Sequence, residues 1–135
     1  MKKIISMVLV VLMLFALVSC GISRKPEDFK EAIAKKYKDD HCVSILDSER
    51  DIENVVKMLG LDPDGVTAVI YVMLKIDGDE GVGYIIYCED SKTAKNMKAD
   101  CEHLLADLGS SDIVKQSGNN IFVGSEEVWK EIRMI

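Results

Sequence analysis

The residues with the most chemical potential are four cysteines, Cys20, Cys42, Cys88 and Cys101, and two histidines, His41 and His103. A thiolate beside an imidazole is either a nucleophile with its base or half the donor set of a zinc ion. His41 directly precedes Cys42, and Cys101-Glu102-His103 brings both donor types within one short run. Neither pair has the gap of about two to four residues that zinc knuckles use. Sequence neighbours on a strand or helix also point in different directions. No metal is expected there. A nucleophilic Cys42 with His41 as base would further need a group to orient the base and an oxyanion site. No motif supplies either, so no catalytic residue is assigned, and a thiol or hydrolytic enzyme using Cys42 and His41 stands only as the alternative function.

The acidic turns are equally plain. Asp77, Asp79 and Glu80, like Asp62 and Asp64, lack the alternating acids, sixth-position glycine and twelfth-position glutamate of a calcium loop. Gly81-Val82-Gly83 has no third glycine and no helix directly after it, so it reads as a flexible hairpin base and not a dinucleotide loop. No cofactor is expected. Tyr71, Tyr84, Tyr87 and Trp129 suit a core or sheet face, with a ligand-binding surface as the sharper option.

The N-terminus has the three zones of an export signal: Lys2 and Lys3, an apolar stretch from Ile4 to Val18 interrupted by Ser6, then small residues. A spanning helix needs about 20 apolar residues, and this run stops short of that. Leu17-Val18-Ser19-Cys20-Gly21 resembles the lipobox of bacterial lipoproteins, the likeness covering the first 21 residues. That resemblance implies cleavage between Ser19 and Cys20, a diacylglycerol on the Cys20 thiol, and a place on the extracytoplasmic face of the cell membrane. One acyl chain binds marginally and two or three hold firmly, which is the physical sense of such an anchor. The expected organisation is a signal peptide at 1–19, a lipidated Cys and short tether at 20–25, and one domain at 26–135.

The whole chain of 135 residues carries a formal charge of −6. Losing Lys2 and Lys3 with the signal leaves −8, which argues against a nucleic acid partner. The charge is unevenly placed. Arg24, Lys25, Lys30, Lys35, Lys36 and Lys38 outweigh three acids beside the anchor, whereas everything from Asp39 onward sums to −11. Those cations could lie against anionic headgroups, each worth about 1 kcal/mol near a membrane, or form the solvated face of a helix.

The elements that must position these residues follow from local signals. Pro26, Glu27 and Asp28 start a helix that runs to about Lys38 with Phe29, Ile33 and Tyr37 at helical spacing. Cys42 to Leu46 suits a short strand. Ser48 and Asp51 open a second helix that Gly60 stops. Thr67 to Ile76 reads as a strand shielded on both faces, and Val82 to Cys88 as its hairpin partner. A long helix capped at Asp90 or Ser91 carries the stripe Ala94, Met97, Cys101, Leu104, Leu105 and Leu108. A second hairpin turning at Gly118-Asn119 and a helix capped at Ser125 finish the chain.

The fold class is therefore α+β: an antiparallel sheet with helices packed on one face. The central order resembles the βαββαβ of ferredoxin-like sandwiches, with an extra N-terminal helix and a C-terminal strand and helix. In that arrangement the first and third strands are antiparallel neighbours, which makes Cys42 and Cys88 a candidate disulfide and leaves Cys101 a small buried hydrophobe. The expected function is a membrane-anchored, non-enzymatic envelope domain binding an unknown protein or small ligand. A structural or protective surface lipoprotein is a further alternative.

Overall fold

The computed structural model describes Ile22 and residues 24–135. The signal segment, Ser19 and Cys20 lie outside the described residues. Helix α1 spans Pro26–Tyr37, β1 His41–Leu46, α2 Glu49–Met58, β2 Val66–Ile76, β3 Asp79–Cys88, α3 Ser91–Leu108, β4 Ile113–Ser117, β5 Asn120–Gly124 and α4 Glu126–Ile132.

Each helix begins and ends on local chemistry. α1 opens with proline and two acids and closes with Lys35 and Lys36, matching the helix dipole at both ends. Ser48, Asp90 and Ser125 each accept a hydrogen bond from a first-turn amide, those of Asp51, Thr93 and Val128. Such caps contribute about 1 kcal/mol apiece. β2 turns into β3 through Asp77-Gly78, both with positive φ, the two-residue geometry that a strand's right-handed twist favours. β3 thus starts at Asp79, earlier than the charged run Asp79-Glu80 suggests.

The five strands form one antiparallel sheet in the order β1-β2-β3-β5-β4. α1 and α4 cover one face, where Phe29, Ile33, Val128 and Ile132 meet Ala68, Ile70, Val72, Leu74, Ile85 and Phe122. α2 and α3 cover the other, where Ile52, Val56, Ala94, Met97 and Cys101 meet Val69, Ile86 and Ile121. Two expectations are corrected here. Helices lie on both faces, and β1 pairs with β2 instead of β3, so the strand order is not ferredoxin-like. The cause is the connection after α2. Leu61 is buried and Asp62 to Gly65 returns the chain to the end of the sheet where β1 finished. β2 therefore runs antiparallel to β1 and takes the adjacent place.

Gly83 and Gly124, near the end of the sheet where β3 starts and β5 ends, face each other across those strands. A Cβ on Gly83 would stand 2.4 Å from the Phe122 ring, and one on Gly81 2.6 Å from Val128. The Gly-Val-Gly run is thus no flexible base: its bare backbone lets Phe122 and α4 lie flat on the sheet, with Trp129 tilted against Phe122 at 5.4 Å.

Candidate functional site

The strand order decides the fate of the sequence candidates. Cys42 aligns with Met73 and Met73 with Val82, while Cys88 aligns with Val66, so β2 and most of a strand's length separate the two thiols. The candidate Cys42–Cys88 disulfide is not formed; Cys42, Cys88 and Cys101 are all free. Cys42 is exposed, whereas burial pushes the Cys88 thiol up to about 11 and the Cys101 thiol up to about 12, with nearby carboxylates adding to it. Both buried thiols stay protonated near neutrality and are poor nucleophiles. His41 and Cys42 are successive strand residues and so project to opposite faces of the sheet. They share no site.

The basic segment divides. Arg24 donates to the Ile135 carbonyl, Lys35 pairs with Glu31 at 3.3 Å, and Lys36 pairs with Glu131 at 3.4 Å while lying over the Tyr37 ring. Lys25, Lys30 and Lys38 are exposed and make no ion pair among the described residues. Arg24 and Lys36 thus link distant parts of the chain, Lys35 makes an exposed pair within α1, and the other three face solvent.

Residues read as tether are instead built into the domain. Ile22 is 1% exposed within the core of the α1/α4 face. Asn120, the one buried polar side chain among the described residues, donates from Nδ2 to the Ile22 carbonyl at 2.6 Å. The Tyr87 hydroxyl donates to the Arg24 carbonyl at 2.6 Å, and burial raises its pKa, keeping it a donor. Burying an isoleucine contributes about 1.5–3 kcal/mol, and each satisfied hydrogen bond about 1 kcal/mol more. Tyr87 and Trp129 therefore have structural work on this face.

The opposite face holds the best ligand-sized space. A groove of about 460 Å³ opens between α3 and the sheet, with Leu59 and Leu61 at its α2 side. Leu104, Leu105 and Leu108 form its helical wall, Val82, Tyr84, Ile86 and Val123 its sheet side, and Cys101 also lines it. These three leucines stand on the last turns of α3, beyond Cys101, the last fully buried residue of that helix. Leu108 is 71% exposed and Val82 38% exposed. Tyr84 packs edge-on to its cross-strand partner Tyr71 at 5.4 Å, extending the apolar surface along the sheet. Among the described residues, Glu80 and Asp112 are the only charged ones lining the groove.

No family model, curated protein or solved structure matches this chain.

The site's meaning rests on its own geometry. A second cavity, about 620 Å³ beside α2, is lined by Asp47, Glu49, Glu53, Asp62 and Asp64, with Lys57 bound to Glu53. Among the described residues, no group of three or more potential ligands is arranged to hold a metal. No described helix is long and apolar enough to cross a membrane. The sequence named Tyr71 and Tyr84 as a possible binding surface and Leu104, Leu105 and Leu108 as part of a helical stripe, but did not join the two into one site.

Proposed function

We propose that this chain is a lipid-anchored protein of the cell envelope, held at the extracytoplasmic face through Cys20, and that its domain binds a ligand without transforming it. The ligand has an apolar body and a cationic group. The leucine-walled groove carries this reading: its volume falls in the range of about 300–1,000 Å³ common for ligand sites, and its charged lining is wholly acidic. Apolar walls supply affinity by excluding water, while Glu80 and Asp112 select the sign of the head group.

A chain beginning at residue 20, with Cys20→Ser, tests it by titration below the critical micelle concentration with a dodecyl trimethylammonium salt and, separately, dodecyl sulfate. The ammonium probe should bind saturably and more tightly than the sulfate. Leu105→Asp should abolish binding, and Glu80→Gln with Asp112→Asn should erase the preference for the cation. Binding that ignores Leu105→Asp, or a preference for the sulfate, contradicts the proposal.

A further inference from the structure

We infer that the domain stands on the lipid surface in one fixed orientation, with the sheet end that holds Ile22 against the headgroups and the groove mouth turned away from the bilayer. This rests on the lipid-anchored reading above. Two residues of chain reach at most about 7 Å, so an acylated Cys20 must emerge beside Ile22. A stalk that let the domain tumble would not bury its own second residue after the lipid. Here Ile22 is in the core, Asn120 holds its carbonyl, Tyr87 holds that of Arg24, and the Arg24 side chain reaches the last residue. These fasteners come from three separate parts of the chain, so the segment cannot swing without releasing all of them.

The same end of the sheet is itself tied into one surface. The Cys88 amide donates to the Asn119 carbonyl at 2.9 Å and the Glu89 amide to the Gly65 carbonyl at 2.8 Å. Three loops thus share a rim around the anchor. Asn120 aligns with Tyr87 on β3; the groove runs back along that strand from buried Ile86 to its open end at Val82, five residues from Tyr87 and about 17 Å away. The groove is also on the opposite sheet face from Ile22. The groove mouth is therefore displaced from the anchor along the strands, and the whole groove is displaced across the sheet. A ligand would arrive from the side away from the membrane, or along it, and not out of the bilayer beneath the domain.

The test uses the lipidated mature protein in nanodiscs containing a headgroup nitroxide lipid, with amide signals read by NMR. Intact mass first establishes acylation, so a missing anchor is recognised separately from a free orientation. The expected result is broadening of the Lys25, Glu89 and Asn119 amides with Asp79, Val82 and Leu108 unchanged. A six-residue Gly/Ser insertion between Gly21 and Ile22 leaves every fastener in place and should make the two ends alike. Equal broadening in the native chain would overturn the inference. So would an end preference that survives the insertion, since the surface and not the mount would then orient the domain.

Discussion

The two faces of the sheet are built from similar apolar residues but finished differently. On the α1/α4 face the large side chains Phe29, Ile33, Phe122 and Ile132 are fully buried, and Ile22, ahead of α1, is packed in with them. On the α2/α3 face Ile86 and Ile121 are just as deeply buried, but the interior has no aromatic ring, the helices add smaller residues such as Val56, Ala94 and Cys101, and Leu108 is left in solvent. One face closes because glycines at 81, 83 and 124 let large groups approach. The other stays open where the last turns of α3 carry Leu104 and Leu105 half-buried and Leu108 exposed. Similar hydrophobic content yields a closed core on one side and an open groove on the other.

The largest expected effect breaks the closed face. Phe122→Ala removes a fully buried ring and should lower the unfolding free energy by about 3–5 kcal/mol. Leu108→Ala on the open face should cost less than about 0.5 kcal/mol, as for an exposed position. Urea denaturation of both variants compares them directly; equal losses would mean the faces are not different in kind. Gly83→Ala comes next, at about 1–3 kcal/mol, because the added methyl must displace the Phe122 ring.

Thiol reactivity sharpens the contrast without a substitution in the domain. With Cys20 blocked or replaced, alkylation of the folded protein at pH 8 should label Cys42 alone, and unfolding should add Cys88 and Cys101. Rapid labelling of Cys101 in the native state would mean that the groove reaches deeper than its walls allow. The smallest effect lies between α1 and α4. The Tyr37 hydroxyl donates to Glu131, and that bond, aided by Lys36, holds the Glu131 carboxyl below its ordinary value. A depressed carboxylate stabilises the fold above its unfolded pKa of about 4.3 and loses that contribution as pH falls through the folded value. The urea midpoint of Tyr37→Phe should therefore approach that of the parent below about pH 4, having been lower at pH 7.

Local elements were legible because their causes are local. Ser48, Asp90 and Ser125 form the caps their positions suggest, and Gly60 and Gly109 end helices in the left-handed region. Strand order was not, because it depends on the direction in which Leu59 to Gly65 returns, and those residues carry no signal of direction. The apolar continuity of β2 did mark it as covered on both faces, which a sheet with helices on one side alone does not need. Ile22 was unreadable for a related reason: a single apolar residue in a polar stretch has no periodicity, and only Asn120, far along the chain, reveals its place. The groove was half legible. The stripe on α3 named its leucines, but whether a leucine is covered depends on what the rest of the chain packs against it, which the stripe does not record.

The central claim is that this domain is mounted through lipid at Cys20, and the most direct measurement is the intact mass of the protein extracted from the membranes of cells that make it. The account predicts a chain beginning at Cys20 with a diacylglycerol added to that residue. A chain that retains residues 1–19, or one that carries an unmodified Cys20 thiol, would contradict it.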